Sequence, residues 1–169
     1  MVTIVVGLLC HLISFGAAHW FKSNPTVTDR VFHLGLWRYC TYPVGGGEYC
    51  DDYINVITDD WLKVAQSFMT LGMFTLLGAV GATAAYTFAM QGDGKILTIS
   101  IVLSAVSGAF ILIGVSSYGG KVWEYLQDSP DGYGAGELSW AFGLAVISSI
   151  MSFITTIMLV IEFVVGDVE

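Results

Sequence analysis

Four apolar runs, at residues 2–21, 64–90, 96–118 and 138–165, decide most of what this chain can become. Each has at least twenty residues, enough to cross about 30 Å of hydrocarbon as an α-helix. Only 12% of the residues are charged, where a soluble domain carries about a quarter. Mean hydropathy is +0.72. The expectation is a single membrane domain over residues 1–169, an all-α bundle of four spans. The net charge is −8, and the six Lys and Arg residues are scattered. That excludes a nucleic-acid surface, which needs clustered basic charge.

The first run competes with a cleavable leader, since Gly16 and Ala18 are small enough for a cleavage site. It lacks a basic n-region and exceeds the usual apolar length, so a retained span is expected. His19 and Trp20 then fall at its outer rim, where amphipathic rings settle. The second run is longer than a bilayer requires, with Trp61 near its start, and is expected to project outward. Residues 91–95 form a short turn, which returns the third run beside the second.

The polar segment 22–63 is too aromatic for a linker. Residues 26–34 alternate as a strand does, with Val31 and His33 on one face and Phe32 and Leu34 on the other. Residues 36–42 and 48–54 give two more β-rich runs, joined through Pro43 and Gly45 to Gly47. Glycine there permits a reversal. Those glycines precede a strand and a cysteine, not a helix and a lysine, so they are no phosphate cradle. Asn24-Pro25-Thr26 is a glycosylation sequon blocked by its proline. The second polar segment, 119–137, reads as a strand at 121–127 and a β-turn at 129–132.

Cys40 and Cys50 sit ten positions apart within the β-rich segment. A disulfide between them implies an oxidising compartment. Zinc is the alternative, but it wants four ligands and only His33 is nearby. Charge counting points the other way: Lys22, Arg30, Arg38, Lys63 and Lys121 lie on the long-loop side and Lys95 alone on the other. The positive-inside rule would put the long loops in the cytoplasm.

Trp20, Gly35-Leu36-Trp37, Cys40 and Cys50 resemble the W…GLW…C…C signature of the claudin, peripheral myelin protein and epithelial membrane protein superfamily. The similarity covers the whole chain as four spans, a long first loop, a short turn and a shorter second loop. It implies an extracellular antiparallel sheet, with a strand from the second loop and a Cys40–Cys50 bond. It also implies cytoplasmic termini, against the charge count. Gln66 stands where claudins commonly have an arginine. That departure, with Ser139-Trp140, is nearer the myelin and epithelial branch, and the acidic C-terminus lacks the terminal Tyr-Val of many claudins.

The implied role is at cell–cell contacts in the plasma membrane. There the protein would adhere, seal or organise apposed membranes with itself or related four-span proteins, in cis and in trans. The alternative is an auxiliary subunit of an ion channel or receptor. Channel-forming claudins carry an acid beside the second cysteine, and Glu48, Asp51 and Asp52 occupy that neighbourhood. Such carboxylates would favour cations; the plainer reading is solvated loop charge. Asp59 and Asp60 precede the second span, where an acid suits a helix N-terminus.

Trp37 is expected where sheet and helix tops meet. Gly78 with Ala82, Gly81 with Ala85, and Ser100, Ser104 and Gly108 read as close-packing faces. His11, alone at mid-span, reads as a neutral packing residue, with a proton or ligand role as the sharper alternative. Glu162 is within reach of the inner interface. Cys10 reads as a small buried hydrophobe, with palmitoylation the weaker alternative. The sequence offers no catalytic set, metal cluster or cofactor motif, and no enzyme is expected.

Overall fold

The computed structural model describes residues 1–23, 31–42, 46–52, 60–89, 92–127 and 136–166. Four helices carry a five-stranded antiparallel sheet. In chain order they are α1 (Val2–Gly16), β1 (Phe21–Ser23), β2 (Val31–Leu34), β3 (Arg38–Tyr42), β4 (Tyr49–Asp52), α2 (Asp60–Phe88), α3 (Gly94–Gln127), β5 (Gly136–Leu138) and α4 (Trp140–Gly166). Helices α2, α3 and α4 are long and apolar enough to cross a membrane; α1 is a shorter apolar helix.

Each helix buries residues alternately three and four apart. The seam is Ile4, Gly7, His11 and Ser14 in α1. In α2 it is Leu62, Ala65, Met69, Gly72, Leu76, Ala79 and Thr83. In α3 it runs Leu97, Ser100, Ser104, Ser107 and Ile111, and in α4 Ala141, Ala145, Ser148, Ser152, Thr155 and Leu159. A repeat averaging 3.5 residues keeps one stripe facing the neighbours when helices cross at about 20° with a left-handed coil. Packing follows chain order, α2 on α3, α3 on α4, and α4 back onto α1.

Two sequence expectations need correcting. The first apolar run is helical only to Gly16; Ala17 turns to φ −78°, ψ 140°, and the chain enters β1 four residues later. Residues 121–127, read as a strand, continue α3, which therefore extends well past the expected span end at 118. Val122 is fully buried two steps beyond Val115 and Tyr118 on the same seam. A helix already running beyond the membrane keeps its phase more cheaply than it starts a strand. The second segment's strand is instead β5.

The sheet order is β4-β3-β2-β1-β5. One cross-strand row is Leu138, Phe21, Leu34, Tyr39 and Asp51; the next is Glu137, Lys22, His33, Cys40 and Cys50. Side chains alternate between faces, so Phe21, Leu34 and Tyr39 of the first row join the helix-side core and the second row faces away from it. Phe21 meets the Trp123 ring of α3 at 5.4 Å, edge to face. The alternation expected for residues 31–34 is thus present. The readings at 24–30, 43–45, 53–59 and 129–132, including the blocked sequon and Asp59, fall outside the described residues.

Candidate functional site

Gly35-Leu36-Trp37 is the tip of the β2–β3 hairpin. The Gly35 N–H donates to the Arg38 carbonyl at 2.9 Å, leaving Leu36 and Trp37 to make the turn. The tip presses onto the end of α1. A Cβ on Gly35 would lie 2.6 Å from Ala18 Cα and 2.7 Å from the Ala17 carbonyl oxygen, so only glycine fits. Leu36 is fully buried, and its carbonyl accepts the Gln66 amide N–H at 2.8 Å. Trp37 packs on Phe15 with ring centroids 5.1 Å apart and stays 37% exposed. It occupies the sheet–helix junction, as expected. Gln66, noticed in the sequence only as a departure, tethers this tip to α2.

Trp20 does not sit at an outer rim. It is fully buried, because the chain folds back over it into β1. Its indole N–H donates to the Ser14 carbonyl at 2.8 Å. Its ring lies 4.9 Å from that of Tyr118 and 5.9 Å from that of Phe142. Its backbone N–H donates to the Leu34 carbonyl, and its own carbonyl accepts from Ser139. One residue therefore joins α1, the sheet, α3 and the start of α4. Tyr118, whose hydroxyl donates to the same Leu34 carbonyl at 3.3 Å, was missed in the sequence. Its signal was available: it is the aromatic at which the third apolar run meets polar sequence.

Cys40 and Cys50 are bonded and directly opposed between β3 and β4. Cys40 is buried and Cys50 exposed, so the link pins an open edge strand to the sheet's interior. Both sulfurs are committed, which removes zinc ligation by free thiols. The acids beside them do not form one cluster. Glu48 accepts the Tyr42 hydroxyl at 2.7 Å, and Asp52 sits 3.9 Å from the Arg38 guanidinium. Asp51 shares a row with Tyr39, on the opposite face from Cys50. It accepts the Asp52 N–H and forms no ion pair among the described residues. All three acids are exposed.

On the face away from the helices, His19 and His33 lie with ring centroids 4.5 Å apart. The second flank of His19 is Trp140, and that of His33 is Tyr42. Burial pushes the His33 imidazole below its ordinary value, and neighbouring His19 and Lys22 add to this, while Glu48 opposes it.

Within the bundle, Ser100, Ser104 and Gly108 lie on the packed face of α3, as expected; Gly108 faces the Phe153 ring. In α2 the pairs divide: Gly78 meets Leu103 of α3 and Ala82 is half-buried, whereas Gly81 and Ala85 are exposed, because the seam phase runs through Gly72, Ala79 and Thr83. His11 is fully buried, with Nε2 3.2 Å from the Met69 carbonyl oxygen. Cys10 is free and half-buried. Glu162 is exposed and lies near Tyr86 of α2.

A search of curated proteins finds no match to this chain. A family model described as PMP-22/EMP/MP20/Claudin family matches residues 1–159, nearly the whole length. That span takes in the Trp20 junction, the Gly35-Leu36-Trp37 tip, the Cys40–Cys50 bond and all five strands. The chain belongs to the PMP-22/EMP/MP20/Claudin family.

Proposed function

We propose that this protein works without enzymatic chemistry at contacts between cells, adhering, sealing or organising apposed plasma membranes through its sheet cap. The cap faces the exoplasmic side and both termini are cytoplasmic. The Cys40–Cys50 bond supports that orientation, since a disulfide lasts only in an oxidising space. The observation carrying the reading is β4: a covalently pinned edge strand with every residue exposed. An open edge is a template for a neighbour's strand, in cis or in trans. Asp51, free of any ion pair among the described residues, is the acid that biases passing cations. The test is expression in cells without junctions, with imaging of contacts and resistance measurements across a monolayer. Accumulation at contacts is expected, with a lower cation preference for Asp51→Asn. Diffuse distribution removes the contact role, and an unchanged ion preference removes the pore.

A second reading, an auxiliary subunit of a channel or receptor, is favoured by the outward face of α2. Gly81 and Ala85 leave that face low, and small residues let transmembrane helices approach closely. Stoichiometric recovery of a channel or receptor from native membrane, lost with Gly81→Leu, is the outcome expected for it.

A further inference from the structure

The interior of the bundle is more polar than its lipid-facing side. Buried within the four helices are His11, Ser14, Thr83, Ser100, Ser104, Ser107, Ser148, Ser149, Ser152 and Thr155. Several bridge helices: Thr3 bonds Thr155 at 2.8 Å, Ser149 donates to the Gly108 carbonyl, and Ser14 to the Ala141 carbonyl. Others bond back along their own helix, as Ser100, Ser107 and Ser152 do. Four buried polar atoms do neither. His11 Nδ1, Thr83 Oγ1, Ser104 Oγ and Ser148 Oγ have no hydrogen-bond partner among the described residues.

Those four atoms come one from each helix, and each belongs to its helix's inward seam. Cross-helix contacts order them along the bundle. Gly7 packs beside Ser148 and Gly72 on Ile111. His11, one turn beyond Gly7 toward the sheet, reaches Met69. Gly78 meets Leu103, which puts Thr83 deeper still, toward the start of α3. The unpartnered atoms therefore follow one another down a single seam. Each buried, unmet hydrogen-bonding atom costs about 1–3 kcal/mol, and hydrocarbon offers no outside partner. Alanine would fit those seam positions without that cost.

We propose that the seam between the four helices binds ordered water, running from the Thr83 level to His11. Water suits the donors: each molecule needs two to four polar partners and little space. A metal cation would want carboxylates, and none is buried among the described residues. A lipid or sterol would want a broad apolar cavity, whereas Gly72 and Gly108 bring side chains of neighbouring helices into contact. Toward the sheet the seam is stopped by Leu62, Trp20 and Tyr118, all buried. The hydrated stretch is thus shut off from the sheet side and is not a passage.

The test is X-ray hydroxyl-radical footprinting of the full chain in lipid nanodiscs, where bound water supplies the radical. His11 and Met69, fully buried, are expected to oxidise several-fold faster than Met158, which faces lipid at 56% exposure. Ser104→Ala with Ser148→Ala is expected to lower that oxidation several-fold, and Ser148→Thr, which keeps a hydroxyl, to preserve it. Rates at His11 and Met69 no higher than at Met158 overturn the proposal. So does a double alanine variant that melts higher with oxidation unchanged, the behaviour of a dry seam. A misfolded double variant leaves the comparison with Met158 to decide.

Discussion

The Trp20 indole N–H donates to the carbonyl of Ser14, six residues back, and closes the end of α1 beneath the sheet. The Ala17 N–H shares that carbonyl at 3.3 Å. The last turn of α1 is thereby satisfied by a side chain that also packs on Tyr118 and Phe142.

Replacing that side chain separates the bond from the packing. Trp20→Phe keeps a ring and loses the donor, and is expected to cost about 1 kcal/mol, because Ala17 still serves Ser14. Trp20→Ala empties a fully buried site and is expected to cost about 3–5 kcal/mol. Thermal unfolding in one detergent compares them.

Gly35→Ala places a methyl against the backbone of Ala17 and Ala18, which cannot move aside as a side chain end would. A loss of about 1–3 kcal/mol or more is expected from overpacking. Gly81→Ala, with nothing within 4 Å, is the control and should leave the melting temperature nearly unchanged. Gln66→Ala removes one hydrogen bond to the same tip and should fall between them, at about 1 kcal/mol.

Reduction, or Cys50→Ser, frees β4 from the sheet. The loop is short, so the expected loss is about 3 kcal/mol. Unfolding with and without reductant measures it, and Cys50→Ser should no longer respond to reductant.

Acid should weaken the cap through His33. Its folded-state pKa lies below the ordinary 6.5 through burial, with His19 and Lys22 adding repulsion. Between the two values the unfolded chain holds the extra proton, so stability rises with pH there. The contribution is complete above about pH 6.5 and is lost as pH falls through the folded value. Lys22→Gln should make that loss smaller, and His33→Gln should remove it. Melting temperature against pH reads both.

How much of this was legible depended on how far each feature reaches along the chain. The four apolar runs, the strand at Val31–Leu34 and the opposed cysteines are local, and the sequence displayed them. The helical state of residues 121–127 was hidden because Val122, Trp123 and Tyr125 are strand-prone residue types in a short polar segment. Only the seam phase, carried from Tyr118 to Val122, gives the helix away. Gly81 and Ala85 in α2 pointed to the wrong face for a related reason: the seam, not residue size, selects the packed side.

By itself the sequence determined that the chain lives in a membrane and that Cys40 and Cys50 lie within bonding reach in a β-rich segment. Hydrophobicity and spacing are properties of short stretches. Tertiary structure alone decided that Trp20 is buried, that Gln66 holds Leu36, and that Asp51 points away from the disulfide face. Those depend on which distant residues arrive beside them, and contact energy belongs to pairs brought together by folding.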